Sequence, residues 1–237
     1  MCKHDYRIYF ETLKIGYCFD CYSILSDSLF TKEEQKEYRQ VTMPPMFEEF
    51  SEKRWKELSP WPYLTYRLAK ANMVYFGRIY NREYIILPVV EGKYKPIFYM
   101  ARDIRKDCPK KYKYLGPHDG KKIYWHKGLE KDTNTYICDV YVCEGIADAI
   151  YMSQFGAAVA LMGLSYNHSL DKELEGHRII LCLDNDFAGN IASILLYTEL
   201  EKTLKDIVGI KFLLLDEGKD PVDYPYEEML GEIRGRK

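Results

Sequence analysis

The C-terminal half of the chain alternates apolar segments with segments of helical periodicity, and this alternation is its most constraining feature. The apolar, strand-like segments are 136–143, 157–163, 178–184 and 209–216, and helical periodicity is found at 147–155 and 188–206. Nearly continuous apolar strands separated by helices are typical of a parallel sheet with helices on both faces. The sequence therefore predicts an α/β domain over residues 136–237.

Carboxylates follow three of these predicted strands. They are Glu144 after the first strand, Asp184 and Asp186 after the third, and Asp216, Asp220 and Asp223 after the last. Asp148 comes four residues after Glu144, at the start of the next predicted helix. Since ligand sites of open parallel sheets collect at the carboxyl ends of the strands, we expect these side chains to share one edge of the sheet.

Such a cluster of carboxylates predicts a divalent metal site. Asp184 and Asp186 are two residues apart, so their side chains point the same way if the strand continues through both. Two such oxygen ligands suit a hard cation, and crowded carboxylates raise one another's pKa unless a cation compensates. We expect bound Mg²⁺ or Mn²⁺. An alternative for Asp186 is a helix N-cap, because a helical segment follows it directly.

Three short motifs in this region resemble the Toprim signature. EGIAD at 144–148, DNDFAG at 184–189 and KDPVD at 219–223 occur in order, each at the end of a predicted strand. Toprim domains occur in primases, topoisomerases, small nucleases and recombination-mediator proteins. The resemblance therefore implies the fold and the acidic site and leaves the activity open.

The N-terminus contains a compact group of cysteines and a histidine. Cys2 and His4 form a first pair, and Cys18 and Cys21 form a second pair in the stretch YCFDC. Three thiolates and one imidazole suit a tetrahedral zinc site, with free cysteines near a mobile terminus as the alternative. The arrangement resembles the Cys-His-Cys-Cys zinc module of bacterial and phage primases, which implies structural Zn²⁺.

Charge is distributed unequally along the chain. Residues 138–237 hold 18 acidic residues against nine Lys and Arg, a net charge of −9, whereas the whole chain carries −2. Residues 102–127 hold nine Lys and Arg against three acidic residues, interleaved with aromatic residues such as Trp125. Basic side chains contact phosphates and aromatic rings stack on bases, so this segment suits single-stranded nucleic acid. The alternative is a solvated hairpin whose aromatic rings face a core.

This middle segment resembles the N-terminal part of the RNA-polymerase domain of DnaG-type primases. The matching residues are Pro88, Arg102, Lys113, Tyr114 and Leu115. The resemblance implies that Arg102, Lys113 and Tyr114 bind the nucleotide or the DNA. It also implies four segments: a zinc-ribbon-like module at 1–30, a helical connector at 31–60, a basic mixed α+β part at 61–135 and a Toprim domain at 136–237.

The resemblance as a whole implies a DNA primase, which synthesises short RNA primers on a single-stranded DNA template from ribonucleoside triphosphates. By this resemblance Glu144, Asp184 and Asp186 would bind the catalytic metal, and Asp148, Asp220 and Asp223 would support them. Two other classes stay open: a metal-dependent Toprim nuclease, and a non-catalytic recombination mediator that binds DNA.

The sequence lacks a nucleotide-binding P-loop, a membrane span and a signal peptide. No G-x4-G-K-[ST] loop occurs, so we expect any helicase to be a separate chain, as is typical of stripped-down phage primases. No apolar run approaches the length of a membrane span, and the N-terminus lacks the features of a signal peptide. We therefore expect a cytoplasmic protein without a membrane partner.

Overall fold

The computed structural model of the chain describes residues 7–10, 15–18, 24–29, 46–48, 50–79, 82–91, 95–105, 108, 112–115, 125–128, 138–164, 166 and 168–235. The chain divides into two compact units. The first comprises Met1–Pro60 and Ala69–Gly120, and the second comprises Trp61–Leu68 and Lys121–Lys237.

The first unit contains two antiparallel sheets. One consists of β1 (Arg7–Phe10), β2 (Ile15–Cys18) and β3 (Ile24–Ser26), with a 3-10 turn at Asp27–Leu29. The other has the order β4-β5-β6-β7-β8, with β4 (Met46–Glu48), β5 (Tyr75–Ile79), β6 (Arg82–Glu91), β7 (Lys95–Asp103) and β8 (Tyr112–Leu115). Strands β6 and β7 pair antiparallel, with Glu91 opposite Lys95 at one end and Tyr84 opposite Asp103 at the other.

Two short helices lie between β4 and β5 in the chain. Helix α1 (Glu52–Leu58) of the first unit begins after Ser51, whose side chain accepts a hydrogen bond from the Arg54 N–H. Helix α2 (Tyr66–Ala71) contains the division between the two units, after Leu68. Trp55 of α1 is buried and packs against the rings of Phe50 and Phe76. This aromatic cluster fastens α1 to the antiparallel sheet.

The second unit is built on a five-stranded sheet of order β13-β12-β10-β11-β9. Its strands are β9 (Trp125–Lys127), β10 (Asp139–Cys143), β11 (Ala157–Ala160), β12 (Arg178–Cys182) and β13 (Gly209–Phe212). Its helices are α3 (Ile146–Met152), α4 (Asp171–Leu174), α5 (Phe187–Thr203) and α6 (Tyr226–Gly235), with 3-10 turns at His168–Leu170 and Pro221–Asp223. Strands β10 to β13 are parallel, which confirms the predicted α/β architecture.

The core of this unit lies between one face of the sheet and the helices α4 and α5. Val142 and Leu181 contribute from the strands, and Leu196 and Leu200 contribute from α5. Side chains alternate along β10, so Cys143 belongs to the opposite face. Helix α3 is buried throughout and packs against β10 and β11.

The strands differ from the sequence expectations in two respects. Strand β9 lies within the predicted basic segment 61–135, yet it pairs antiparallel with β11, and its Trp125 is only 5% exposed. A ring buried in this sheet is not available to stack on bases. Strand β12 ends at Cys182, two residues short of Asp184, so the strand expected to run through Asp184 and Asp186 does not form.

No helix in the described ranges combines the length and the apolar character that crossing a membrane requires.

Helix α5 offers a direct test of this core. Leu200→Ala removes a fully buried side chain and should lower the free energy of unfolding by about 2–5 kcal/mol. Leu195→Ala is the matched control, because Leu195 is 65% exposed on the same helix and its loss should change stability by about 0.5 kcal/mol or less. Urea denaturation followed by circular dichroism measures both values, and equal effects would contradict this packing.

Candidate active site

The carboxylates predicted from the sequence collect at the carboxyl edge of the parallel sheet. Glu144 directly follows β10, and Asp148 lies in the first turn of α3. Asp184 follows β12, and Asp220 precedes the 3-10 turn at Pro221–Asp223, beyond β13. The backbone carbonyl of Glu144 accepts a hydrogen bond of 2.9 Å from the Met162 N–H, so the loop after β11 reaches the same edge.

Gly145 allows the first of these strand ends to turn tightly into α3. A side chain at position 145 would bring its Cβ within 2.8 Å of Asp148 Oδ2. Asp148 is buried, and its Oδ1 accepts a hydrogen bond of 3.4 Å from the Val222 N–H. Glycine at 145 therefore leaves the space that a buried carboxylate needs beside Glu144.

Asp186 is the N-cap of α5, as the alternative interpretation of this residue anticipated. Its Oδ1 accepts a hydrogen bond of 2.7 Å from the Gly189 N–H, and its side chain is exposed. A Cβ at Gly189 would lie 2.1 Å from the Asp184 carbonyl oxygen, so α5 starts close against the end of β12. A polar cap at this helix start competes with a strand continuing through residues 184–186.

Asn185 fastens the loop after β12 to the loop after β13, a role that the sequence analysis missed. Its side-chain Nδ2 donates to the Leu215 backbone carbonyl at 2.6 Å, and its backbone carbonyl oxygen accepts from the Gly218 N–H at 2.9 Å. The sequence feature that could have identified Asn185 is its position between the two candidate ligands Asp184 and Asp186. Amide side chains satisfy backbone groups in loops, so Asn185 holds the two strand ends in register.

The remaining acidic residues of this edge have partners of their own. Asp223 Oδ2 accepts a hydrogen bond of 3.2 Å from the Asp220 N–H, which shapes the turn that carries Asp220. Asp216 forms an exposed ion pair of 2.9 Å with Lys219, and its N–H donates to Tyr224 Oη at 2.6 Å. Asp223 and Asp216 therefore order the loop.

The electrostatics show that Asp184 lies at the centre of the acidic group. Burial raises its pKa to about 7, and the negative charges of Asp220, Glu144 and Asp186 contribute to that value. Burial also raises the pKa of Glu144, with Asp186 and Asp220 adding to the effect. The pKa of Asp148 lies well above its usual range because of burial and the charges of Asp184 and Asp220. These carboxylates repel one another.

The donor chemistry of this group fits a divalent cation. Asp184 Oδ1 is buried and has no hydrogen-bond partner among the described residues. A cation would satisfy this oxygen and offset the mutual repulsion of the carboxylates. Across the part of the chain that the structure describes, no three His, Cys, Asp or Glu side chains lie close enough to enclose a metal ion as they stand. The carboxylates thus face one another without forming a closed coordination sphere.

The other predicted site residues belong to the first unit. Arg102 of β7 donates from Nη1 to Tyr112 Oη at 2.5 Å, and its guanidinium lies 5.0 Å from the centre of that ring. Lys113 and Tyr114 lie in β8, and Cys18 is the last residue of β2. Cys2, His4 and Cys21 lie outside the described residues.

Comparison with known proteins agrees with this geometry. Residues 141–225 match the family model described as Toprim-like. The DNA primase of Pseudomonas aeruginosa is 29% identical over 159 residues, which cover 61% of this chain and 23% of that protein. The chain thus spans about a quarter of the length of this curated relative.

Solved primase structures have the same fold. The Escherichia coli primase catalytic core superposes with a TM-score of 0.57 at 17% identity, covering 78% of this chain and 72% of that one. The Aquifex aeolicus primase fragment with zinc-binding and RNA-polymerase domains gives a TM-score of 0.56 at 14% identity, covering 95% and 72%. The second unit is therefore a Toprim-like α/β domain whose fold matches primase catalytic cores.

The raised pKa of Asp184 predicts how stability depends on pH without metal. The folded protein retains a proton at Asp184 up to about pH 7, whereas the unfolded chain releases it near its ordinary value of 3.8. The contribution of this group to the free energy of unfolding should therefore fall as the pH rises through this window. Asp184→Asn removes the charge, so in EDTA this variant should melt above wild type at about pH 8, and the difference should shrink as the pH falls toward about 4.

Asp216→Asn is the control for this pH series. The ion pair with Lys219 lowers the pKa of Asp216, so removing this exposed charge should bring no stabilisation at about pH 8. Thermal denaturation of all three proteins across the pH series gives the comparison. An Asp184→Asn protein that melts below wild type at about pH 8 would contradict the repulsion described above.

Proposed function

We propose that this chain is a DNA primase of the DnaG type, a nucleotidyltransferase that synthesises short RNA primers on single-stranded DNA. The observation that carries this proposal is the group of carboxylates around Asp184, at the carboxyl edge of a Toprim-like sheet. The similarity to a bacterial DNA primase supports primer synthesis among the activities that Toprim domains serve.

Glu144, Asp184 and Asp186 would hold Mg²⁺ or Mn²⁺. Asp184 Oδ1 is the strongest candidate ligand atom, because it is buried without a hydrogen-bond partner among the described residues. Asp186 uses Oδ1 to cap α5, which leaves its second carboxylate oxygen for a cation. A bound divalent ion would neutralise the negative charge that develops on a transferred phosphoryl group.

Asp148, Asp220 and Asp223 would support this ligand set. Asp220 adds negative charge next to Asp184, which favours cation binding. Asp148 is buried close enough to be affected by the charges of Asp184 and Asp220. Asp223 accepts the hydrogen bond from the Asp220 N–H and so positions Asp220. These residues act through the electrostatics and the shape of the site.

The reaction that this site would serve is phosphoryl transfer. The 3′-hydroxyl of the growing primer attacks the α-phosphorus of an incoming ribonucleoside triphosphate and releases its proton to water. A new O–P bond forms, the bond between the α-phosphorus and the bridging oxygen breaks, and pyrophosphate leaves with that oxygen and its electron pair. Catalysis of this step depends on position and electrostatic stabilisation more than on covalent participation of the protein.

Arg102, Lys113 and Tyr114 would bind the triphosphate or the template backbone. Arg102 is half-buried, and the Tyr112 ring and hydroxyl hold its guanidinium. A guanidinium kept in one orientation loses little conformational freedom when it binds a phosphate. This arrangement suits a fixed phosphate contact.

The N-terminal cysteines and histidine would form a structural zinc module. The Aquifex aeolicus primase fragment, whose fold is similar to that of this chain, comprises zinc-binding and RNA-polymerase domains. In this chain Cys2, His4, Cys18 and Cys21 would supply the four ligands, in a module over residues 1–30 joined by the 31–60 connector. We further propose that the protein acts in the cytoplasm with single-stranded DNA, and with any helicase as a separate chain.

The decisive test is primer synthesis by the purified protein on single-stranded DNA with Mg²⁺ or Mn²⁺ and labelled ribonucleotides. Asp184→Asn should reduce RNA synthesis by at least about a hundredfold while leaving the circular dichroism spectrum unchanged. Asp206→Asn is the matched control, because Asp206 is exposed and precedes β13, at the opposite edge of the sheet. Full activity of Asp184→Asn would refute the assignment, and shortened DNA without RNA would identify a nuclease.

The zinc module predicts a stoichiometric metal in the purified protein. Atomic emission spectroscopy should detect about one zinc ion per chain, and Cys21→Ser should lose it. Cys108→Ser should retain the zinc, because the Cys108 thiol lies near Arg105 in the first unit and is not one of the predicted ligands. Zinc binding that survives the loss of Cys21 would exclude this ligand set.

A further inference from the structure

Phe187 is exposed to an unusual degree for an aromatic side chain at the start of a helix. Its side chain is 84% exposed, more than any other large apolar residue that the structure describes. Phe187 is the first residue of α5 and directly follows Asp186, one of the proposed metal ligands. The backbone of Phe187 is therefore bonded directly to that of a proposed metal ligand, and its ring is open to solvent.

The first turn of α5 determines the direction of this ring. Gly189 is buried against the backbone of Asp184, and the Asp186 cap holds this turn in place. Phe187 precedes Gly189 by two residues, which corresponds to about 200° around a helix. Phe187 thus points away from the sheet while remaining at the acidic edge.

An aromatic ring is the type of side chain that can attract nucleic acid at this edge. Carboxylates repel phosphates, whereas an aromatic face stacks on an unpaired base irrespective of charge. Trp125, one of the aromatic residues predicted to stack on bases, is buried in β9 and cannot serve this purpose. Phe187 has the exposure that Trp125 lacks.

Further along α5, the exposed apolar residues are aliphatic, whereas Phe187 is aromatic. Ile191, Ile194 and Leu195 are also exposed, but they have no aromatic face and lie one to two turns further from Asp186. They provide internal controls, because a contact that depends only on apolar surface would involve them equally.

We propose that Phe187 stacks on an unpaired nucleobase held at the acidic site, either a template base or the base of the incoming ribonucleotide. The inference rests on the proposed primase function and identifies a positioning residue for it. Stacking would orient the nucleotide whose phosphate the carboxylates and their cation engage.

Tryptophan fluorescence tests this contact without requiring catalysis. The three natural tryptophans, Trp55, Trp61 and Trp125, are all at most 7% exposed, so a Phe187→Trp variant introduces a solvent-exposed reporter. An oligothymidylate should quench this reporter saturably if the base comes from the template, and ATP should do so if it comes from the ribonucleotide. Ile194→Trp, at a position that is 62% exposed, should respond to neither.

Substitutions of the ring supply the second measurement. Phe187→Ala should lower the affinity of the protein for whichever ligand quenches the reporter, by at least about fivefold. Phe187→Tyr, which keeps an aromatic ring, should bind that ligand with the wild-type affinity. Ile194→Ala should bind like wild type. In primer synthesis, loss of the ring should raise the KM of the same ligand more than it lowers kcat.

The outcomes separate this inference from the proposed function. A wild-type protein that makes no RNA overturns the primase proposal, while quenching still reports on the base contact. Absence of quenching by both ligands, equal quenching of the Ile194→Trp variant, or unchanged affinity of Phe187→Ala overturns the stacking role. These negative results are also what we expect if this face of α5 binds a protein partner and not a nucleobase.

Discussion

Repulsion among carboxylates at the end of a buried sheet is the constraint on which the rest of this site depends. Asp184, Asp148 and Glu144 each lie where burial and neighbouring negative charge disfavour ionisation. For Asp148, a hydrogen bond from the Val222 N–H offsets part of this cost. Asp184 Oδ1 receives no such bond from the described residues, so the least compensated oxygen lies in the middle of the group.

Two glycines make this crowding sterically possible. Gly145 leaves room for the Asp148 carboxylate, and Gly189 lets α5 start against the backbone of Asp184. Neither has a left-handed backbone, so the requirement arises from the close approach of neighbouring groups and not from φ. The hydrogen bond from Asn185 Nδ2 to the Leu215 carbonyl links the loop after β12 to the loop after β13. The carboxylates are thus held near each other by side-chain volume and backbone hydrogen bonding.

The parallel sheet and the location of its acidic edge were predictable, because apolar strands and their polar ends are local features of the sequence. The residue at which β12 ends was not predictable, because residues 183–186 suit either a longer strand or a helix cap. The close approach of Gly189 to the backbone of Asp184 favours the helix cap. The burial of Trp125 also escaped prediction. Its surroundings in sequence are basic, and only the distant pairing of β9 with β11 places the ring in a core.

Asp148 and Asp184 illustrate how function and stability oppose each other in such a site. Asp148 has a backbone donor in the Val222 N–H, so its burial is partly satisfied without a cation. Asp184 has a raised pKa and an unsatisfied oxygen, features that weaken the folded state and at the same time favour cation binding. A protein that satisfied Asp184 internally would be more stable and would attract a cation less. The unsatisfied oxygen therefore supports the proposal that Asp184 binds a cation.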